Sequence, residues 1–299
     1  MRENTKAAVL ASFAADSLAL GAHWIYDTKL IAQTFGTLDT FHAPLPNSFH
    51  AGKKKGDFTH YGDQSLVLLE SLAENDGFVL QNFAASWKKL FTDSYNGYVD
   101  KATKATLDNL NKGKGPGECG STSTDLGGPA RMAPLLLWYG DNSELLLKYT
   151  KEQTSMTHNH PATLAGAEFL ARSMYVILQG TAPLQAMEEA LEQGVADLDL
   201  DIRIRSALDS ADKDSLEVIQ NFGQMCGIAS ALPGAIHLVA RYPHNLKEAL
   251  VSNVMAGGDS SARGMVAAMM LAAHLGPDSV PQPWLEGLNH GTAIQSLLK

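Results

Sequence analysis

Two short segments carry the residue types from which an acidic site can be built. Tyr61-Gly62-Asp63-Gln64-Ser65 runs into the apolar stretch Leu66–Leu72, and Ala256-Gly257-Gly258-Asp259-Ser260-Ser261-Ala262-Arg263-Gly264 runs into Met265–Leu275. In each, an aspartate follows glycine at the head of an apolar helix, where free backbone N–H groups and the helix dipole favour the ionised carboxylate. One such aspartate is what an ordinary N-cap looks like. Two of them, each after an irregular segment, can converge into a carboxylate pair, which serves either to hold a hard divalent cation or as acid and base in glycoside cleavage.

Further polar residues stand near these in the reading. Asp16 and His23 are seven apart in the first apolar run, a spacing that puts them within about 20° on one helical face, where buried polar groups need partners. Thr157-His158-Asn159-His160-Pro161 forms a turn whose histidines can ligate a metal, touch a ligand or simply cap the next helix. Gly127-Gly128-Pro129-Ala130-Arg131 can offer backbone N–H groups to a phosphate, or Arg131 can pair with an acid; the spacing is not that of a Walker loop. Cys226 is a formal nucleophile, but no base is evident beside it, so a buried structural thiol is the expectation.

Helices must position these groups, because apolar residues recur at helical spacing almost everywhere and alternation of strand length is hard to find. The spacing predicts helices near 5–21, 63–75, 79–95, 99–111, 129–140, 143–154, 161–179, 183–196, 214–222, 232–241, 245–255 and 260–275. Two long connections interrupt them, about Phe41–Gly62, with His42, His50, His60 and Lys53–Lys55, and the glycine-rich Lys112–Gly128; such connections in a compact domain are often functional. The fold class expected is all-α, a single orthogonal multi-helix bundle over residues 1–299, with no repeat or low-complexity segment to mark a boundary.

The 299 residues are 45% hydrophobic and 18% charged, enough to bury a large core, and the formal net charge of −9 argues against a nucleic-acid groove or an anionic membrane as partner. With two cysteines a disulfide framework is not expected, and Asp16 breaks the apolar run Ala7–Ala22 before it reaches the roughly 18–20 residues of a bilayer span. A cytoplasmic location is the expectation.

Taken in order, Ala15-Asp16-Ser17-Leu18-Ala19, Gly62-Asp63, Leu126–Pro134, Thr157–Pro161 and Gly257-Gly258-Asp259 resemble the ADP-ribosylglycohydrolase family over about residues 5–276, and most of all its crystallin-type branch. The resemblance implies a compact all-α bundle whose cleft holds two Mg²⁺ or Mn²⁺ ions beside ADP-ribose, and cleavage of the bond between ribose C1″ and an arginine, serine or acetyl group. The departures are specific. Metal-dependent members carry Thr-Asp-Asp-Thr where this chain has Tyr61-Gly62-Asp63-Gln64, and Gly-Gly-Asp-Thr-Asp-Thr where it has Gly257-Gly258-Asp259-Ser260-Ser261-Ala262; His23 stands in place of a glutamate.

The expectation is therefore a hydrolase of an ADP-ribosylated or related small riboside with Asp63 and Asp259 as catalytic carboxylates. His23, Gly127, Gly128, Arg131, His158 and Arg263 would bind substrate. At most one Mg²⁺ or Mn²⁺ would sit on Asp63, Asp259, Ser260 and Ser261, with metal independence left open; Arg263, four residues after Asp259, would fill the place of a lost ion and keep both acids charged. The alternative is a catalytically silent, crystallin-like protein.

Overall fold

A computed structural model describes residues 2–298. Its helices are α1 (Arg2–Leu20), α2 (Thr28–Phe35), α3 (His60–Asn75), α4 (Leu80–Thr92), α5 (Lys101–Asn111), α6 (Gly127–Ala130), α7 (Leu136–Tyr139), α8 (Ser143–Ser155) and α9 (Pro161–Leu178). They continue with α10 (Pro183–Glu192), α11 (Leu198–Leu208), α12 (Ser215–Phe222), α13 (Ile228–Arg241), α14 (Leu246–Met255), α15 (Ser260–Leu275), α16 (Gln282–Gly287) and α17 (Gly291–Leu297). Among the described residues there is no strand, only isolated bridges pairing Ser121 with His158 and Asp125 with Gly227, and no helix long and apolar enough to cross a membrane. The all-α class is as the periodicity requires.

The organising element is α15, buried from Ser260 through Ala273. A helix apolar on every side must be enclosed by others, and α1, α13, α14 and α9 all pack on it, α1 most extensively. Met265, Val266, Met269, Met270 and Leu271 are inaccessible there, each burial stabilising by roughly 1.5–3 kcal/mol. The buried apolar side chains form one cluster running from Ala7 to Leu298. This packing fixes the N-terminus of α15, and with it Asp259, against the C-terminal half of α1.

Differences from the periodic reading have local causes. α1 ends at Leu20, so residues 21–24 form a turn and His23 does not share a helical face with Asp16. α3 begins at His60 because Thr59 caps it, its hydroxyl accepting the Tyr61 N–H at 3.1 Å; Gly62-Asp63 therefore lies within the first turn rather than ahead of it. The stretch predicted as one helix over 129–140 is broken into α6, a 3₁₀ turn at Ala133–Leu135, and α7, as Pro134 demands. α11 escaped the periodic reading because Leu198 and Ile202, which look like core positions, point outward with 74% and 55% exposure.

Candidate functional site

The two Gly-Asp segments meet. Asp259 caps α15, accepting the Ala262 N–H at 3.3 Å, and the Tyr61 hydroxyl, from the first turn of α3, donates to its other oxygen at 3.1 Å. The turn before Asp259 holds Gly257 and Gly258 at φ +70° and +69°, the left-handed region that glycine enters without steric penalty. It is pinned by Gly258 N–H to Ile25 O at 2.8 Å and Trp24 N–H to Gly258 O at 2.9 Å. The junction between α1, α3 and α15 is Asp16. Its buried carboxylate accepts the Thr59 N–H at 2.8 Å, the Thr59 hydroxyl at 2.5 Å and the Ser261 hydroxyl.

The two aspartates themselves have separate surroundings and share no hydrogen-bond partner. Asp63 receives Lys53 Nζ and the Tyr95 hydroxyl, each at 2.5 Å; burial pushes its carboxyl up while those two contacts pull it down. Asp259 is wholly inaccessible, and burial pushes it up to about 6 against the opposing pull of Arg263. Arg263 does not stand between the acids as a substitute ion. Its donors go to Asn253 Oδ1 at 2.9 Å, Asn253 O at 3.1 Å and Gly257 O at 2.7 Å, so it ties α14 to the glycine turn. The cation on Asp63 is Lys53, from the long connection after α2.

Three histidines gather beside Asp259. His23, His50 and His60 are buried, with one ring nitrogen of each within 4.8 Å of the others. His50 Nε2 and His60 Nδ1 are 3.2 Å apart, His60 Nε2 lies 3.3 Å from Asp100 Oδ2, and His23 Nδ1 lies 3.8 Å from Asp259 Oδ1. Burial, then the neighbouring imidazoles, holds His23 and His50 far below the ordinary histidine range. Trp24 stacks on His23 at 4.5 Å between ring centres, with Phe49 and Tyr98 against its other edges.

An octahedral Mg²⁺ or Mn²⁺ needs several free oxygens about 2.0–2.1 Å from one point, and the oxygens expected to supply it are otherwise engaged. Asp63 is held by Lys53 and Tyr95, Asp259 by Tyr61 and its own helix, and the Ser261 hydroxyl by Asp16; only the buried Ser260 hydroxyl lacks a partner. Among the described residues, the histidine trio is the one group of three or more His, Cys, Asp or Glu whose ligand atoms lie that close. The oxygen set does not fit the expected ion.

The glycines at 127 and 128 serve close packing. A Cβ on Gly127 would stand 2.2 Å from the Tyr61 ring, and one on Gly128 2.9 Å from His158. Arg131 is buried, donating to Gln64 Oε1 and the Thr157 hydroxyl, and burial lowers it to about 10. His158 is fully enclosed, bonded through Nδ1 to Thr157 Oγ1 at 2.8 Å and lowered by burial to about 3; His160 caps α9. These residues position Tyr61 and α3 from behind. Cys226 is shielded in a way that raises its thiol far above the ordinary value, first by burial and then by Asp125 and Asp259. Iodoacetamide at pH 8 is expected to alkylate it at least about tenfold more slowly than a free thiol, measured by intact mass against time; alkylation at the free-thiol rate would contradict this environment.

The reading of the chain missed Asp100, Tyr95, Tyr98 and Trp24 as members of this region. Asp100 carried a usable signal, an aspartate ahead of a helix, but nothing local shows that its second oxygen faces His60. His50 and His60 stood out only as members of a long connection.

A model of the ADP-ribosylglycohydrolase family matches residues 1–299. Crystallin J1A of Tripedalia cystophora is 24% identical, covering 98% of this chain and 94% of that protein, and ADP-ribosylhydrolase ARH3 of Mus musculus is 21% identical, covering 87% and 80%. A solved structure described as an ADP-ribosylglycohydrolase-related protein complex superposes with a TM-score of 0.76 at 21% identity, covering 99% of this chain and 96% of that one. With the match spanning every residue, and the Gly62-Asp63 and Gly257-Gly258-Asp259 turns joined at one junction, this chain belongs to the ADP-ribosylglycohydrolase family.

Proposed function

We propose that the chain, acting as one domain, hydrolyses an N- or O-glycosidic bond of an ADP-ribosylated or related small riboside. The observation that carries this reading is the direct contact between the two turns, Tyr61 hydroxyl to Asp259 at 3.1 Å, with Asp63 two residues on in the same first turn of α3. Asp63, held by Lys53 and Tyr95, orients and deprotonates the attacking water. Asp259, within the protein, stabilises the oxocarbenium-like charge on the ribose. Lys53, 2.5 Å from Asp63, offsets part of the cost of burying that carboxylate's charge, and Gly127 packs against the Tyr61 ring.

The test is turnover of ADP-ribosyl-arginine, ADP-ribosyl-serine and simpler ribosides, with Asp63→Asn as control. The reading expects release of free ADP-ribose or ribose from at least one and a loss of at least about 100-fold in the variant; turnover that survives Asp63→Asn removes Asp63 from the mechanism. A second reading is a catalytically silent, crystallin-like role. It is favoured by the engagement of both aspartates with neighbours and by the likeness to Crystallin J1A, and it predicts no turnover of any riboside and no calorimetric heat with ADP-ribose.

A further inference from the structure

We propose that His23, His50 and His60 form a binding site for one divalent transition-metal ion of the zinc type, held by three imidazole nitrogens with a fourth position open. The inference goes beyond glycoside hydrolysis and is independent of it.

Three observations point to the ion. The first is spacing. Four-coordinate zinc with Zn–N of about 2.0–2.1 Å separates neighbouring ligand nitrogens by about 3.3 Å, and His50 Nε2 and His60 Nδ1 are 3.2 Å apart, with one nitrogen of His23 within 4.8 Å of both.

The second is hydrogen-bond accounting. A neutral imidazole must place one N–H and one lone pair, and buried polar groups are almost always satisfied. Yet both nitrogens of His23, Nδ1 of His50 and Nε2 of His60 are buried without a hydrogen-bond partner. An ion at the trio would take one lone pair from each ring, and at His23 that gives a partner to one of two nitrogens that otherwise have none.

The third is the surrounding charge. Asp100 Oδ2 lies 3.3 Å from His60 Nε2, so a proton on Nε2 leaves Nδ1 as a lone pair facing His50; Asp259 stands 3.8 Å from His23 Nδ1. A carboxylate behind a ligating histidine is the usual support of such a site; Asp100 is near enough to His60 to act so, while Asp259 contributes only nearby negative charge to His23. The cations that face the cluster are Lys53, beside His50, and Arg263, beside His23; Lys53 is neutralised by Asp63 and Arg263 opposes Asp259. Nitrogen donors favour zinc, copper, nickel and cobalt over Mg²⁺, which prefers oxygen.

The position of Trp24 supplies a readout. It holds φ +64°, a conformation L-residues rarely adopt, and its ring stacks on His23. A paramagnetic ion on the trio therefore lies close enough to quench its fluorescence.

The experiment is titration of full-length, chelator-stripped protein with Zn²⁺ by calorimetry, with Co²⁺ by visible absorption and tryptophan fluorescence, and with Mg²⁺ for comparison, all without substrate. We expect one Zn²⁺ per chain with Kd below about 1 μM, a four-coordinate Co²⁺ spectrum with fluorescence quenching, and Mg²⁺ at least about 1,000-fold weaker. His50→Gln should weaken Zn²⁺ by at least about 100-fold, and Asp100→Asn, which keeps the α5 cap on the Thr103 N–H, by about 10–100-fold. The absence of stoichiometric Zn²⁺ and Co²⁺ binding by the unsubstituted protein overturns the proposal without recourse to any variant. Equal affinity for Mg²⁺ does so as well, as does Zn²⁺ affinity unchanged in folded His50→Gln. Because no substrate is present, these outcomes leave the glycohydrolase reading standing or falling on its own test.

Discussion

Asp259→Asn is expected to lower riboside turnover by at least about 100-fold while making the protein more stable at neutral pH. The two effects have one source. Burial raises the Asp259 carboxyl from its ordinary 3.8 to about 6, so the folded state holds a proton more tightly than the unfolded chain does. Between these values the folded state binds more protons, and stability falls as pH rises. The contribution of the protonated group is fully present below about pH 4 and is lost by the time pH passes about 6, leaving the ionised carboxylate destabilising by about 2–3 kcal/mol at pH 8. Arg263 offsets part of that penalty and is already included in the position of the titration.

Asparagine keeps the cap, since its amide oxygen accepts the Ala262 N–H as well as a carboxylate does, and its amide N–H can donate to the Tyr61 hydroxyl. It removes only the charge. Denaturant unfolding of chelator-treated protein should therefore show a gain of about 2–3 kcal/mol at pH 8 that shrinks steadily from pH 6 to pH 4. A variant as active as the unsubstituted protein would separate Asp259 from catalysis; one whose stability tracks the unsubstituted protein at every pH would show that the charge is not confined as the buried geometry requires.

What could be read from the chain and what could not follows the range of the forces involved. Helical periodicity is local, and it located α4, α5, α8, α9, α14 and α15 to within a few residues. It failed where apolar residues face solvent, as in α11, or where a cap overrides the apolar pattern, as Thr59 does for α3. The two Gly-Asp turns were legible because glycine beside an acid at a helix head is a local signature. Their partners were not. Lys53 reaches Asp63 from a connection with no periodic pattern, and Asp100 meets His60 across 40 positions, contacts that exist only once α15 has set the frame. Arg263 shows the limit of spacing arguments. Four residues after Asp259 it does share that helix, but its guanidinium is drawn to the carbonyls of Asn253 and Gly257, which otherwise would be buried without donors.

Asp16→Ala is expected to destabilise the protein by about 3–5 kcal/mol, lowering Tm by roughly 10 °C for a chain of this size. The substitution strands the buried Thr59 N–H and takes the shared acceptor from the Thr59 and Ser261 hydroxyls, which lie 3.2 Å apart and keep each other as partners. It also disturbs a relay: with its proton committed to Asp16, the Thr59 oxygen presents a lone pair to the Tyr61 N–H, and Tyr61 in turn holds Asp259. Releasing Asp16 loosens the cap of α3 and the contact between the two turns in one step. Asp16→Asn is the informative partner. Its amide oxygen still accepts the Thr59 N–H, while both hydroxyls can rotate to accept from its NH₂, so the loss should be only about 1 kcal/mol. Burial raises the Asp16 carboxyl, which further narrows the difference between the acid and its amide. Chemical denaturation of both variants distinguishes the cases. A loss below about 1 kcal/mol for alanine would mean that the junction is held by apolar packing of α1 on α15 alone, and equal losses for alanine and asparagine would mean that the negative charge, rather than the hydrogen-bond geometry, binds the three helices together.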